Sequence, residues 1–347
     1  MQNSNIVFDA DGWKSSLRGF SNRTWFIVVD DNTRIKCLPI VEALYLESRQ
    51  QYHVIQVAQG EAHKTIGSAS FVWSRLLELG AERNDLIIGL GGGVVTDLSG
   101  FVASTYKRGV ALALIPTTYL AMCDAAHGGK TGLNVSAVKN AVGTFHQPVC
   151  TLIDPSFLQS LEKTELLNGY FETLKHALIA DAQFWNTLVR KDWWVAVHDI
   201  ELIKRSVRIK TDVVTGDERD YGQRQKLNFG HTVGHAIEGA SGGGIRHGFA
   251  VGVGMICEMN IATKLGLLKN EVFEEVAGYL IALLPQVATE LPAPDRVIEF
   301  MRHDKKNDSS HYLMSLIDNI GSCKTGIEVS HEQVRTAYAE SLNLLRK

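Results

Sequence analysis

The first half of the chain alternates short apolar runs with segments of helical periodicity. Apolar runs of strand length occur at residues 25–29, 52–57, 85–90 and 110–115, and residues 72–79 follow a helical pattern. Each run is closed by turn or polar residues, as are the strands of a parallel sheet whose connections are helices. The pattern therefore predicts an α/β domain, and the ligands of such sheets bind at the carboxyl ends of the strands.

The hydrophobic pattern changes after about residue 155. Apolar residues then recur at helical spacing over residues 166–180, 199–214, 227–240, 250–267 and 271–284. A chain of 347 residues exceeds one ordinary compact domain. We therefore predict two domains, an α/β domain over residues 1–154 and an all-α domain over residues 155–347, with the active site in the cleft between them.

Composition and charge narrow the class of protein. Hydrophobic residues make up 45% and charged residues 21%, and the net charge of −3 produces no field that would attract nucleic acid or an anionic membrane. The five cysteines are far apart and form no Cys-x-x-Cys pair, which argues against disulfides and a thiolate zinc knuckle. Residues 1–10 contain no apolar signal core, and no apolar run approaches ~18 residues. We expect a soluble cytoplasmic protein without nucleic-acid or membrane partners.

A run of three glycines, Gly91 to Gly93, follows a predicted strand and opens a predicted helix. Glycines let backbone N–H groups approach a phosphate, and a helix N-terminus favours its negative charge. The run lacks the Gly-x-Gly-x-x-Gly pattern of dinucleotide sites, and a tight strand-to-helix turn is the alternative interpretation. Its position at a strand's carboxyl end favours ligand binding, and Asp30, Thr117 and Thr118 would lie at the same edge.

The segment from Asn228 to His235 is the sharpest local signal. On one helix Asn228, His231 and His235 would share a face, and two histidines one turn apart commonly bind zinc. Thr232 stands where a zinc protease has its glutamate, which excludes that class. Either histidine alone could equally be a satisfied core residue. The spacing by itself predicts that both histidines are ligands.

A metal needs further ligands, and the sequence offers two candidates. Glu172 lies within a largely apolar predicted helix with Lys175 three residues later, and burying these charges is costly unless they are paired or bound. His247 lies in a glycine-rich loop, where a lone histidine is more often a surface residue. Carboxylate and imidazole are both ordinary zinc ligands.

Basic residues beside glycines and amides form a third group. Individually each could be a solvated surface charge. Together they fit a small substrate that carries phosphate and carboxylate, since Arg binds such anions bidentately and Lys as a point charge. The group comprises Arg108, Lys130, Lys139, Asn140, Lys210, Arg224, Lys305 and Lys306, and Asp124 could add a carboxylate to the same pocket.

In order and content these segments resemble the motifs of the 3-dehydroquinate synthase family. The matching motifs are 91–97, Tyr106-Lys107-Arg108-Gly109, Ile115-Pro116-Thr117-Thr118, 124–131, Lys139-Asn140, Glu172-x-x-Lys175, Asp217-Glu218-Arg219, 227–238, His247-Gly248 and Asp304-Lys305-Lys306. The resemblance runs from about Asp30 to Lys306. The chain departs from the family pattern after Asp124, where Ala125-Ala126-His127 follows, and at Phe249.

The resemblance implies a Rossmann-like N-terminal domain, a helical C-terminal domain, bound NAD, Zn²⁺ (or Co²⁺) and a homodimer. The family converts 3-deoxy-D-arabino-heptulosonate 7-phosphate into 3-dehydroquinate and phosphate, a step of the shikimate pathway. The reaction proceeds by transient oxidation with NAD, elimination of phosphate, reduction, ring opening and intramolecular aldol closure. The protein then mainly positions the substrate and stabilises developing charge.

The resemblance also implies a role for each matching residue. Its metal ligands are Glu172, His231 and His247, whereas His235 becomes a proton-transfer group beside the substrate phosphate. The residues implied in catalysis are Asp124, Lys130, Lys175, Lys210, Arg224, Asn228 and His235. The residues implied in substrate binding are Arg108, Lys139, Asn140 and one of Lys305 and Lys306. The residues implied in NAD binding are Asp30, Asn32, Glu61, Lys64, Gly92, Gly93, Val94, Asp97, Thr117, Thr118, Lys130, Lys139 and Phe157.

Three other functions are compatible with parts of this pattern. Another sugar phosphate cyclase, which makes a cyclitol precursor, would usually alter the residues that hold the substrate carboxylate, yet Lys210, Arg224 and Asn228 are present. A metal-dependent alcohol dehydrogenase shares the glycine run and the histidines but has no use for so many anion-binding lysines. A non-enzymatic descendant would be expected to have lost ligands or lysines. We therefore predict the carboxylate-recognising cyclase.

Overall fold

The computed structural model describes residues 5–47, 49–136, 138–217, 220–284, 291–302 and 311–346. The chain divides into two compact units, Met1–Leu166 and Leu167–Lys347. Among the described residues, every helix is too short or too polar to cross a membrane.

The first unit is built on a six-stranded parallel sheet. The strands of this unit are β1 Asn5–Val7, β2 Trp25–Asp30, β3 Tyr52–Val57, β4 Leu86–Gly91, β5 Ala111–Pro116, β6 Lys130–Val135, β7 Val138–Phe145 and β8 Cys150–Leu152. The sheet order is β1-β8-β5-β4-β2-β3, while β6 and β7 form a separate antiparallel pair. Strands β2 and β4 are almost continuously buried, as expected for parallel strands covered on both faces.

Helices connect these strands. The helices of the first unit are α1 Ala10–Ser16, α2 Asp31–Lys36, α3 Leu38–Leu44, α4 Ile66–Glu78 and α5 Gly93–Thr105. Side chains cap three of them at the N-terminus, since Asp9 caps α1, Asp30 caps α2 and Thr65 caps α4. Leu98 and Val102 of α5 pack in one buried cluster with Phe26 of β2, which fixes α5 against the sheet.

The second unit is mostly helical. Its helices are α6 Lys163–Ala180 (which begins just before the boundary), α7 Ala182–Leu188, α8 Trp193–Ala196, α9 Ile200–Gly216, α10 His231–Ala240, α11 His247–Lys264, α12 Asn270–Leu283, α13 Pro294–Arg302 and α14 His331–Leu345. A hairpin of β9 His311–Asn319 and β10 Ser322–Ser330 lies between α13 and α14 along the chain. Helix α11 is buried at every residue from Gly248 to Ala262, which makes it the central helix of this unit.

Helices α10 and α11 approach each other closely at three glycines. A Cβ atom at Gly254 would lie 2.0 Å from the carbonyl oxygen of Gly230, and one at Gly234 would lie 3.1 Å from the carbonyl oxygen of Ala250. The two helices can pack this closely because glycines have no side chains at the contact. The contact brings the start of α10 against the middle of α11.

The predicted fold class is confirmed, with two corrections of detail. The helix predicted over residues 227–240 begins only at His231, because Gln223–Asn228 forms a separate 3₁₀ turn and Gly230 adopts a left-handed conformation at φ 78°. Asn228 and His231 therefore do not share a helix face. The second unit is also not purely α-helical, since it contains the β9–β10 hairpin.

Candidate metal centre and nucleotide loop

Three side chains converge in the second unit. Glu172 of α6, His231 and His247 place one ligand atom each within 4.8 Å of one another. Oε1 of Glu172 lies 3.4 Å from Nε2 of His231 and 3.4 Å from Nε2 of His247. The two histidines are the first residues of α10 and α11, so the starts of two helices meet the middle of a third.

The other ring nitrogen of each histidine has an acceptor of its own. Nδ1 of His231 donates to the carbonyl oxygen of Phe229 at 3.2 Å, and Nδ1 of His247 donates to Oε2 of Glu238 at 3.1 Å. Neither acceptor can donate, so both hydrogen bonds place the imidazole proton on Nδ1. In the neutral imidazoles the Nε2 lone pairs are then left facing Glu172, the arrangement that metal-binding histidines adopt.

The carboxylate of Glu172 is fully buried, and both histidine Nε2 atoms approach its Oε1 at 3.4 Å. Oε2 forms an ion pair with the ammonium of Lys175, which is itself buried. Burial favours the neutral acid, but Lys175 and His231 outweigh it and hold the pKa of Glu172 well below its usual range. An ionised carboxylate and two imidazole lone pairs around one point fit a divalent cation such as zinc.

The pKa values of the two histidines are shifted in opposite directions. Burial, assisted by the nearby Lys175 ammonium, lowers the pKa of His231. Burial also acts to lower the pKa of His247, but its hydrogen bonds to Glu172 and Glu238 raise that pKa to about 10. Without a cation, a proton on His247 therefore neutralises part of the negative charge in the cluster.

His235 lies beside this cluster rather than within it. Its side chain is exposed, and its ring centroid is 5.2 Å from that of His231 and 5.8 Å from that of His247. It also forms a convergent group with Glu238 and His247, although Nδ1 of His247 already donates to Glu238. The helical spacing that suggested a ligand pair does not bring His235 to Glu172, whereas His247 does approach it.

The other basic candidates of this unit are buried. Lys210 is buried on α9, and Arg224 is buried in the 3₁₀ turn that precedes α10. Helices α6 and α9 are joined by a hydrogen bond of 2.8 Å between Nδ1 of His176 and Oγ of Ser206, one turn before Lys210. Asn228 is half-buried at the end of that 3₁₀ turn. Lys305 and Lys306 lie outside the described residues.

In the first unit, the candidates for NAD binding lie at one edge of the sheet. Asp30, Gly91 and Pro116 end the adjacent strands β2, β4 and β5, and the N–H of Thr117 donates to the carbonyl oxygen of Gly91 at 3.0 Å. Thr118 follows directly. This is the common edge that the strand pattern predicts.

Helix α5 begins without a side-chain cap. Its N-cap is Gly92, so the first N–H groups of this 13-residue helix have no local side-chain acceptor, in contrast to α2 and α4. A Cβ atom at Gly92 would lie 2.9 Å from Cγ2 of Thr118. An uncapped helix N-terminus behind close-packed glycines fits an anionic group such as a pyrophosphate.

A polar cluster lies beside this loop. The buried ammonium of Lys64 pairs with Asp97 of α5 and donates to Oδ1 of Asn140 at 2.6 Å. Burial raises the pKa of Asp97 despite the opposing effect of Lys64. Next to it, Nδ2 of Asn134 donates to Oε1 of Glu61 at 2.8 Å. The cluster joins β6 and β7 to the segment between β3 and α4.

The remaining first-unit candidates occupy varied positions. Lys130, Lys139, Asn32 and Arg108 are exposed, Val94 and Asp124 are half-buried, and Phe157 is buried. Arg108 follows Lys107 in a turn where both residues have positive φ, 64° and 45°, a strained conformation for residues with side chains.

The two departures from the family pattern have structural partners. The buried His127 hydrogen-bonds through Nε2 to the carbonyl oxygen of Met122 at 2.7 Å. Phe249 packs edge-on against Phe171, with ring centroids 5.8 Å apart. Sequence reasoning missed Glu238 as the acceptor that orients His247, although its spacing of seven residues from His231 places it on the face of α10 that carries that ligand.

Comparisons with known proteins agree with these features. The family model described as 3-dehydroquinate synthase N-terminal matches residues 54–168, and the model described as 3-dehydroquinate synthase C-terminal matches residues 169–307. The 3-dehydroquinate synthase of Parabacteroides distasonis is 36% identical over 93% of this chain and 91% of its own length. That of Pyrococcus furiosus is 44% identical over 89% of this chain and 90% of its own length.

Solved structures share the fold along nearly the whole chain. The 2-epi-5-epi-valiolone synthase ValA of Streptomyces hygroscopicus, solved with NAD⁺ and Zn²⁺ bound, superposes with a TM-score of 0.89 at 26% identity, covering 99% of this chain and 98% of its own. Two further structures share the fold alone. A 2-deoxy-scyllo-inosose synthase superposes with a TM-score of 0.84 at 24% identity, covering 96% of each chain. An iron-containing alcohol dehydrogenase superposes with a TM-score of 0.67 at 15% identity, covering 99% of this chain and 98% of its own. With both family models matched and curated relatives aligned over most of their length, this chain belongs to the 3-dehydroquinate synthase family.

Proposed function

We propose that this chain is a 3-dehydroquinate synthase, which converts 3-deoxy-D-arabino-heptulosonate 7-phosphate into 3-dehydroquinate and phosphate. The observation that carries the proposal is the convergence of Glu172, His231 and His247 beside the ammonium of Lys175. The family models and the curated synthases at 36% and 44% identity support the same activity. A phosphorylated sugar acid is then the substrate.

The proposal includes NAD in the first unit and a divalent metal, Zn²⁺ or Co²⁺, in the second. When bound, NAD supplies a hydride acceptor for one substrate hydroxyl and the cation supplies Lewis acidity. Glu172, His231 and His247 would hold the metal. The residues that would hold NAD are Asp30, Asn32, Glu61, Lys64, Gly92, Gly93, Val94, Asp97, Thr117, Thr118, Lys130, Lys139 and Phe157. The uncapped start of α5 supports this assignment, as do the NAD⁺ and Zn²⁺ bound to ValA.

Charged side chains would hold the substrate and move its protons. The buried ammonium of Lys175 stabilises negative charge next to the metal ligands, and the exposed imidazole of His235 is suited to proton transfer near the phosphate. The guanidinium of Arg224 and the ammonium of Lys210 suit the substrate carboxylate. The proposal also gives catalytic roles to Asp124, Lys130 and Asn228, and substrate contacts to Arg108, Lys139, Asn140 and one of Lys305 and Lys306.

We also propose a homodimer that acts in the cytoplasm. All five cysteines are free and buried, which fits a reducing compartment. Dimerisation is what the family resemblance implies, and sedimentation of the purified protein tests it. Fractionation of the source cells tests the location.

Release of phosphate from the seven-carbon substrate tests the activity. The protein loaded with NAD and zinc should release phosphate without net formation of NADH, and a chelator should stop the release. Net NADH would indicate an alcohol dehydrogenase instead. Phosphate release only from a sugar phosphate that lacks the carboxylate would indicate a cyclitol-forming cyclase.

A further inference from the structure

Helix α10, which begins with His231, cannot cap its own N-terminus. Its N-cap residue is Gly230, and the first N–H groups of any helix lack partners within the helix. A Cβ atom at this position would lie 2.5 Å from Cγ of Met255 and 2.9 Å from the carbonyl oxygen of Val251. With φ at 78° as well, the position excludes the serine, threonine or aspartate that usually supplies a cap.

A carboxylate from the neighbouring helix takes the place of the missing cap. Oε2 of Glu258, on α11, accepts the N–H of Gly230 at 2.6 Å, and Oε1 accepts the N–H of Val233 at 3.2 Å. These are the N-cap and N3 amides, the same two that a capping box satisfies with two local side chains. Here one residue from another helix satisfies both.

The close packing of the two helices makes this contact possible. Gly254 lies one turn before Glu258, and any side chain at Gly254 would collide with the carbonyl oxygen of Gly230. Glu258 itself is completely buried, and a buried carboxylate is costly unless hydrogen bonds compensate it. An apolar residue would fill the same volume without that cost, so packing alone does not account for a glutamate here.

We propose that Glu258 is a positioning residue for the metal ligand His231. Its two hydrogen bonds fix the amides on either side of that residue, at Gly230 and Val233. Holding the first turn of α10 in this way directs Nε2 of His231 towards Glu172, 3.4 Å away. The inference rests on the metal centre of the proposed function and adds a fourth, non-ligand residue to it.

Zinc affinity in variants of Glu258 tests this role. In Glu258→Gln an amide NH₂ replaces one oxygen and confronts a backbone N–H, so one of the two amides loses its acceptor. We expect zinc to bind about 10- to 100-fold more weakly, the usual effect of losing a residue that supports a ligand. Competition with a chromophoric chelator measures the affinity. Working above the pKa of Glu258, which burial raises to about 8, keeps the wild-type carboxylate ionised.

Asn260→Ala provides a matched control on the same helix. Asn260 is also buried, but its amide donates to Oε2 of Glu340 on α14 at 2.9 Å and not to α10. Its loss should destabilise the protein while leaving the zinc affinity within about twofold of wild type. If Glu258→Gln is folded and binds zinc as tightly as Asn260→Ala, the positioning role is wrong.

Hydrogen exchange separates this inference from the metal proposal itself. In metal-free wild type, the amides of Gly230 and Val233 should exchange slowly, and rapid exchange there would overturn the inference without any variant. Glu258→Asp, which keeps the charge but shortens the reach, should accelerate exchange at these amides and weaken zinc binding if Glu258→Gln fails to fold. A wild type that binds no zinc but protects both amides would instead overturn the proposed function.

Discussion

At the scale of single residues, the candidate metal centre depends on which atoms are held in place before a cation arrives. Phe229 and Glu238 accept the Nδ1 protons of His231 and His247, so both Nε2 lone pairs of the neutral imidazoles point at Glu172. His235 has the sequence spacing of a ligand, but its side chain does not converge on Glu172. It lies one turn further along α10 and is exposed. Spacing identifies histidines that share a face, whereas ligation requires convergence with a third residue.

Histidine substitutions should therefore separate ligands from their neighbour. His231→Ala and His247→Ala each remove one of three converging ligand atoms, and we expect both variants to lose zinc on dialysis. His235→Ala should retain zinc but release phosphate about 10²- to 10⁴-fold more slowly, the range for loss of a proton-transfer group. Metal analysis together with the phosphate assay measures both. Loss of zinc from His235→Ala with retention in His247→Ala would reverse the assignment.

The carboxylate of Glu258 should give the stability of the metal-free protein a specific pH dependence. Burial raises its pKa from the ordinary 4.5 to about 8, while bonds to backbone N–H groups act in the opposite direction. Between these values the folded chain holds a proton that the unfolded chain has lost, so stability falls as the pH rises. The buried thiols of Cys257 and Cys323, which the carboxylate influences, stay neutral in this window because their pKa values are also raised.

Urea unfolding of metal-free wild type and Glu258→Gln over this pH range isolates the effect, because the glutamine does not titrate. We expect the free energy of unfolding of wild type, relative to the variant, to fall by about 1.4 kcal/mol per pH unit and to level off near pH 8. A difference that does not change with pH would show that the pKa of Glu258 is ordinary.

At the scale of elements, hydrophobic periodicity predicted most of the secondary structure. It failed where the backbone conformation of a single residue determines where a helix begins. Strands β2 to β5 and helices α9, α11 and α12 lie within about three residues of their predicted positions. The start of α10 was misplaced because apolar spacing continues through Leu227 and Phe229, and nothing in that spacing reveals the left-handed Gly230. The three-residue strands β1 and β8 are too short to produce a pattern of their own.

The crossing of α10 and α11 gives a prediction at this scale. In Gly254→Ala the new Cβ would lie 2.0 Å from the carbonyl oxygen of Gly230, so the helices must separate. We expect a loss of about 1–3 kcal/mol in unfolding free energy, together with weaker zinc binding, because the start of α10 carries His231. Gly278→Ala on α12 is the control, since its Cβ would meet nothing within 4 Å and should stabilise the helix slightly. Equal stability of the two variants would contradict this account.

At the scale of the whole molecule, the fold class and the family could be predicted from the sequence, but the geometry of the centre could not. Glu172, His231 and His247 are separated by 59 and 16 positions, and only the packing of α6, α10 and α11 shows that they converge. The ordered motifs identified them only because the chain resembles a known family. The catalytic, substrate-binding and NAD-binding roles of the individual residues stay predictions.

The division into two units predicts that the two cofactors can be lost separately. The glycine loop lies within Met1–Leu166 and the metal group within Leu167–Lys347. In Gly92→Ala a Cβ would lie 2.9 Å from Cγ2 of Thr118 and would crowd the start of α5, so we expect NAD binding to weaken at least about tenfold while zinc is retained. His247→Ala should show the converse, loss of zinc with NAD binding near that of wild type. Calorimetric titration with NAD and metal analysis of each variant measure both, with Gly278→Ala as the neutral control. If either variant lost both cofactors while remaining folded, the two sites would not be independent.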